Sequence, residues 1–209
     1  MEESRIVRLR VFFPFALGYF LSLLFRVVNS VIAPDLVSGL GLGPSELGLL
    51  TATYFIAFAA FQLPLGVLLD RCGPRTVQAG LLLFAAAGAA IFSQAQGIAG
   101  LAAGRALIGL GVSSCLMAAF KAFTLWFPRE QWPRVNGFQL AAGGLGAMAA
   151  TSPVQTALSA TDWRGIFILL AFAAAAAAAS IFWVVPEKKT PGASGSGRDQ
   201  FRGVAQVFT

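Results

Sequence analysis

Three cationic side chains, Arg26, Arg105 and Lys121, lie inside stretches of sequence that are otherwise almost wholly apolar. A charge set among hydrocarbon is expensive, so such residues pair internally, face a water-filled path or meet a charged ligand. Arg26 sits about 22 Å into its apolar run at 1.5 Å per residue, too deep to reach a headgroup layer easily. No acidic residue shares that depth, because Asp35 and Asp162 lie near one boundary and Asp70 near the other. An anionic solute is therefore a natural counter-ion for Arg26, with hydrogen bonding to backbone carbonyls as the structural alternative. Lys121 has a second option, since its stem can snorkel to the nearer membrane face. Arg105 divides between packing or proton coupling and contact with a solute.

Polar residues at helical spacing give these cations company. Ser22, Arg26, Asn29 and Ser30 form one stripe, Thr51, Tyr54, Phe58 and Gln62 a second, and Asn136, Gln139, Gly143 and Gly146 a third. Ser114 and Lys121, seven apart, share a face, whereas Arg105 points roughly the opposite way at about 100° per residue. Both could line one cavity only if Gly109 and Gly111 bend the helix between them. The candidate cavity residues are Arg26, Asn29, Tyr54, Gln62, Lys121 and Gln139.

A different cluster runs from Gly66 through Asp70, Arg71 and Gly73 to Arg75, between two apolar segments. Gly66 is expected to end one span, and Gly73 to allow a tight turn that side chains would block. Asp70 is expected near the start of the next helix, where the backbone dipole favours negative charge. Arg71 and Arg75 can pair with it and hold the loop at anionic headgroups.

The elements that must position these residues follow from composition. The 209 residues are 57% hydrophobic and only 11% charged, with a mean hydropathy of +0.75. A soluble domain carries roughly a quarter charged residues, and here the apolar residues come in blocks of about twenty. Six spans are predicted, near 11–33, 47–69, 76–94, 100–124, 135–158 and 163–185. Residues 1–10 precede them, and residues 186–209 form a flexible linker with a short amphipathic segment through Phe201, Val204, Ala205 and Phe208. The first apolar run is too long for a signal peptide and lacks a cleavage pattern, so it reads as a retained span. Eleven of the 15 Lys and Arg fall on one side of these spans and only Arg164 on the other, which makes both termini cytoplasmic. The net charge of +6 flanks the spans and forms no nucleic-acid-binding face. With no histidine, His-based acid–base catalysis and His-ligated metal sites are excluded, and no other catalytic or metal constellation can be assembled. Cys72 and Cys115 support no disulfide framework. The Ala173 to Ala179 run and Gly100-Leu-Ala-Ala-Gly104 read as helix-packing surfaces.

The spacing G-x-x-x-D-R-x-G-x-R over Gly66 to Arg75 resembles the loop between helices two and three of major facilitator superfamily transporters. Arg105, Gly109 and Gly111 resemble that family's R-x-x-x-G-x-G pattern in its fourth span, and Trp163-Arg164 is typical of the opening of its sixth. The fifth-span glycine–proline pattern of proton-coupled drug exporters is only partly present, in Gly143, Gly144, Gly146 and Pro153. The resemblance covers about 15–185. It implies an all-α integral membrane fold, six transmembrane helices in an inverted 3+3 repeat, equal to half of a full transporter. It further implies movement of a small organic solute across the cell (inner) membrane, with possible coupling to a proton or ion gradient and no bound cofactor. In the family the hinge also braces the second span against the other half. A truncated N-terminal half is the expected state of this chain. Its partners are the lipid bilayer, the solute, and a second six-helix half or a second copy of itself. A non-transporting accessory membrane protein is the alternative from another class, and no enzyme is expected.

Overall fold

The computed structural model describes residues 2–188, with side chains from Ile6 onward, so the expected linker and amphipathic segment beyond Lys188 lie outside the described residues. Among the described residues all regular structure is helical: α1 (Glu2–Val31), α2 (Ala33–Leu40), α3 (Pro44–Ala60), α4 (Gln62–Gln94), α5 (Ile98–Val112), α6 (Cys115–Trp126), α7 (Trp132–Ala149), α8 (Ser152–Leu158) and α9 (Trp163–Val184), with a 3₁₀ turn at Arg129–Gln131. Backbone polar groups in hydrocarbon must bond within their own segment, which makes helix the default for such blocks. Among the described residues, four stretches are long and apolar enough to cross a membrane: Ile6–Val31, Gln62–Gln94, Ile98–Trp126 and Trp163–Val184.

The expected spans at 47–69, 100–124 and 135–158 are not single helices, and two of the three breaks have a proline behind them. A proline ring clashes with the carbonyl four residues earlier. For Pro64 that carbonyl belongs to Ala60, the last residue of α3; for Pro153 it belongs to Ala149, the last residue of α7. The third break, between α5 and α6, has no proline. There Ser113 turns its Oγ back onto the Leu110 carbonyl at 2.7 Å, and its amide bonds the same oxygen at 3.2 Å.

Gly73 divides α4 into two arms. Its φ of 76° and ψ of 158° lie where only glycine sits without strain, and Pro74 then opens the second arm. Contacts along α5 and α6 show that the chain reverses here. Going up α3 and the first arm, Tyr54 meets Gly109, Gln62 meets Ser113 and Asp70 meets Lys121. Going up the second arm, Ala85 meets Gly111 and Phe92 meets Gly104, the opposite direction. By the same test α1 runs parallel to α7, with Gln139 at Phe15, Gly143 at Tyr19 and Gly146 at Phe20. It runs antiparallel to α5 and α6, with Phe15 at Phe123 and Arg105 at Phe25. The second arm and α9 are also antiparallel, since Phe92 stacks on Phe167 at 4.2 Å while Arg75 reaches Phe182.

Lipid tails are as apolar as leucine, so burial alone gives these helices little reason to associate and close packing must do it. Small residues set the approach. A Cβ on Gly104 would lie 2.8 Å from the Gly88 carbonyl oxygen, and one on Gly88 would lie 2.8 Å from the Gly104 oxygen. Ala174, Ala177 and Ala178 of the alanine run are buried, while the outer surface is large and apolar, with Leu63 and Trp183 each 79% exposed. That surface suits lipid and no aqueous solvent.

The hinge corrects two expectations. Gly66 does not end a span; it lies within the first arm on an open face, with nothing within 4 Å of a Cβ built on it. Asp70 belongs to the last turn of that arm, three residues before the break, so it sits at the end of one helix and not at the start of the next. A helix C-terminus disfavours negative charge, and the cation of Lys121 compensates. Arg164, the lone basic residue expected on the other face, donates to the Ser93 and Ala95 carbonyls, each at 2.7 Å, and so closes the C-terminal end of α4. Both cysteines are free.

Candidate functional site

Two of the three expected polar stripes face each other. Arg26 and Asn29 of α1 meet Thr51, Tyr54, Phe55 and Phe58 of α3, with Arg105 of α5 behind them. Thr51 spends its own proton on the Leu47 carbonyl at 3.1 Å, and Asn29 Nδ2 donates to its Oγ1 at 3.4 Å. The Arg26 guanidinium carbon lies 5.2 Å from the Phe58 ring centroid and 5.7 Å from that of Phe55. On the far side, Arg105 Cζ lies 4.6 Å from the Tyr54 ring, and the Tyr54 and Phe58 rings lie nearly parallel at 6.3 Å. The order is cation, ring, ring, cation. Ring quadrupoles hold both guanidiniums, with no carboxylate paired to either among the described residues.

The two arginines are nevertheless unlike. Arg105 is 1% exposed, and its Nη1 donates to the Phe25 carbonyl at 3.0 Å. Arg26 is half-buried, and among the described residues neither arginine enters an ion pair. Arg26 Nε, Asn29 Oδ1 and Arg105 Nε are buried without a hydrogen-bond partner. Tyr54 Oη lies within electrostatic reach of Arg26 but makes no hydrogen bond of ordinary geometry. Buried polar atoms are normally satisfied, so the unsatisfied ones gathered around half-buried Arg26 set this region apart from ordinary helix packing. Phe55 was not anticipated from the sequence. Its signal was available, because it precedes Phe58 by one turn and so borders the same stripe.

A second cluster lies further along the same face. Gln62, Gly66, Asp70, Met117 and Lys121 border a shallow cleft of ≈ 420 Å³. Lys121 Nζ meets Asp70 Oδ1 at 2.7 Å, and Gln62 Nε2 donates to Ser113 O at 3.2 Å. Lys121 and Arg105 do not line one cavity, as their opposed directions on the helix suggested. Arg71 and Arg75 do not pair with Asp70 either. Arg75 donates from Nε to the Phe182 carbonyl at 2.9 Å and lies 3.8 Å from Glu187, tying the hinge to the end of α9. The Asp70–Lys121 pair is partly exposed, so its contribution is modest. A double-mutant cycle with Asp70→Asn and Lys121→Met should give a coupling on the order of 1 kcal/mol in chemical unfolding. A coupling within error of zero would mean that the pair does not tie α4 to α6.

The other candidates are structural in their surroundings. Gln139 is fully buried between α7 and α1 and donates to the Phe15 carbonyl at 3.1 Å. Gly143 and Gly146 face Tyr19 and the Phe20 carbonyl. Gly109 and Gly111 admit the Tyr54 carbonyl and the Ala85 backbone, where any side chain would collide.

Comparison with known proteins agrees with this architecture. A family model described as Major Facilitator Superfamily matches residues 15–208. A probable sulfoacetate transporter of Cupriavidus necator is 30% identical over 154 residues, covering 74% of this chain and 36% of that protein. A probable L-galactonate transporter of Escherichia coli is 30% identical over 183 residues, covering 81% of this chain and 38% of that protein. The chain thus spans little more than a third of the length of these relatives. Among solved structures, a bacterial homolog of the human lysosomal transporter Spinster, inward-facing and unoccupied, superposes with a TM-score of 0.75 at 18% identity. It covers 96% of this chain and 49% of that one.

Proposed function

The chain belongs to the major facilitator superfamily, and from that premise we propose that it supplies the first six-span half of a solute transporter, with Arg26 as the anchor for a small organic anion. It is an all-helical, multi-pass membrane protein. The observation that carries the anion is the half-buried Arg26 among unsatisfied polar atoms, held by phenyl rings and, among the described residues, by no carboxylate. A guanidinium takes a carboxylate or sulfonate through two parallel hydrogen bonds, and Asn29 and Tyr54 stand ready for its hydroxyls. Relatives named for sulfoacetate and L-galactonate, both small organic anions, support this class.

In this reading α1, α3 with the first arm of α4, and the second arm form one triplet of spans. Helices α5 with α6, α7 with α8, and α9 form the other. Each member of the first triplet runs antiparallel to its counterpart in the second, which supports an inverted 3+3 repeat. The excess of Lys and Arg on the face carrying Arg71, Arg75, Arg129 and Arg134 supports cytoplasmic termini in the cell's inner membrane. Alternating access works by rocking two halves about a midplane site. Uptake therefore needs a second half, whether from the same polypeptide, a separate chain or a second copy.

Binding can be tested on this chain alone. In lipid nanodiscs its thermal unfolding temperature should rise with millimolar sulfoacetate or a sugar acid, and stay unchanged with the corresponding neutral sugar. Equal stabilisation by neutral and anionic solutes would remove the anion from the proposal.

A further inference from the structure

The unsatisfied atoms around Arg26 differ in kind. The arginine nitrogens can only donate and Tyr54 Oη can do either, whereas Asn29 Oδ1 can only accept. A short relay decides which end of the Asn29 amide is left over. Thr51 gives its single hydroxyl proton to the Leu47 carbonyl at 3.1 Å, so its Oγ1 has only lone pairs to offer. Asn29 therefore presents Nδ2 to it, at 3.4 Å, and Oδ1 remains for another partner. Asn29 is 5% exposed, while Thr51 and Phe55 beside it are exposed, so the cluster has an open edge. Arg26 and Asn29 lie three residues apart on α1, as do Thr51 and Tyr54 on α3. Tyr54 approaches Arg26 and Thr51 meets Asn29, so the pairs form adjoining rungs between antiparallel helices.

We propose that Asn29 sets the specificity of this site: its Oδ1 accepts a hydrogen bond from a hydroxyl of the anion seated on Arg26, and Thr51 is the positioning residue that orients the amide. The inference rests on the anion reading of Arg26 and goes beyond it, because it separates hydroxylated anions from bare ones. A guanidinium takes a carboxylate or sulfonate whatever else the solute carries. A buried acceptor discriminates. A solute with no hydroxyl leaves Oδ1 desolvated and unpaired, whereas a hydroxylated one regains there a bond it gave up on leaving water. The one-turn spacing of Arg26 and Asn29, about 5–6 Å between Cβ atoms, puts that hydroxyl near the anionic end of the solute.

Glycerate and propionate make the test, since both are three-carbon carboxylates of the same charge and only glycerate carries hydroxyls. Each is titrated against the full chain in lipid nanodiscs, with dissociation constants taken from the rise in unfolding temperature. Glycerate should bind on the order of tenfold tighter than propionate. Asn29→Leu, which removes the acceptor, should erase that ratio. Thr51→Val should shrink it, and Thr51→Ser, which keeps the hydroxyl, should preserve it. Thr53→Val loses a comparable bond to the Leu49 carbonyl and should leave the ratio unchanged. A merely structural role for Asn29 or Thr51 would lower both affinities together and leave their ratio alone. Equal binding of glycerate and propionate would overturn the proposal, as would a ratio that survives Asn29→Leu. The anion reading stands in either case if Arg26→Gln weakens both acids. It fails separately, and this inference with it, if neither acid binds or if Arg26→Gln binds both as well as the unsubstituted chain. If Asn29→Leu does not fold, the unsubstituted chain's ratio and the two Thr51 substitutions decide.

Discussion

Arg26→Gln should weaken anion binding roughly a hundredfold while leaving the bundle folded. Removing one partner of a desolvated, hydrogen-bonded ion pair costs about 2–5 kcal/mol in binding, since the other charge is left buried and unmatched. The substitution spares the fold because Arg26 has no ion pair among the described residues; what it does have are cation–ring contacts at 5.2 and 5.7 Å and the nearby Tyr54 Oη. Losing the ring contacts costs about 0.5–2 kcal/mol, and removing a costly intramembrane charge offsets that loss. Arg26→Lys should fall between, keeping the charge and losing the planar fork that matches a carboxylate or sulfonate. Arg105→Gln tests the contrast between the two cations. It strips the Phe25 carbonyl and the Tyr54 ring of their partner, so its first effect should be on unfolding and not on affinity. Titration of the nanodisc-embedded chain with labelled sulfoacetate or a sugar acid separates these outcomes. Unchanged affinity in Arg26→Gln would place the anion elsewhere.

Gly111→Val should prevent native assembly of the bundle. A Cβ there collides with the Ala85 backbone, which belongs to the second arm of α4 and cannot swing aside as a side-chain tip would. Overpacking a core by a methylene or two costs about 1–3 kcal/mol when side chains absorb it. Backbone against backbone forces two helices apart, and in lipid their close packing is most of what joins them. A loss of at least about 3 kcal/mol is expected, read as a lower unfolding midpoint or as loss of folded protein from the membrane. Gly109→Val should behave alike, because the Tyr54 carbonyl fills the space its side chain would need. Gly144→Ala is the control: nothing lies within 4 Å of its Cβ position, and alanine favours helix, so stability should hold or rise slightly. Native stability in Gly111→Val would mean that α4 and α5 tolerate separation at this crossing.

Much of this was legible in the residues, and the reason differs by feature. Gly73 between Cys72 and Pro74 announces a reversal because backbone sterics alone restrict that position, and the chain reverses there. Pro64 and Pro153 sit four residues after the ends of α3 and α7; the clash that stops each helix is local and needs no tertiary contact. The polar stripes of α1 and α3 were visible as periodicity and do meet. The third stripe was equally periodic, yet Gln139, Gly143 and Gly146 are spent on contact with α1. Periodicity reports that a face is special without reporting what lies opposite. The break between α5 and α6 carries no proline and rests on how Ser113 uses its hydroxyl, a choice that serine leaves open elsewhere in the chain.

The membrane class, the apolar blocks, the reversal at Gly73 and the scarcity of acids at depth follow from the residues alone. Each depends on one residue or one segment against its solvent: hydrocarbon compels local backbone bonding, and a span's length is set by the bilayer. Which charges meet was settled by packing. Asp70 took Lys121, 51 residues away, over the nearby Arg71 and Arg75; Arg75 took the end of α9, and Arg105 took the Phe25 carbonyl, 80 residues away. Partners of that kind depend on which helix faces lie together after packing, and in lipid the packing is settled by small residues and close backbone approach, not by hydrophobicity that every span shares. The pairing of Arg26 with Phe55 and Phe58, with no carboxylate paired to it among the described residues, is a consequence of that packing.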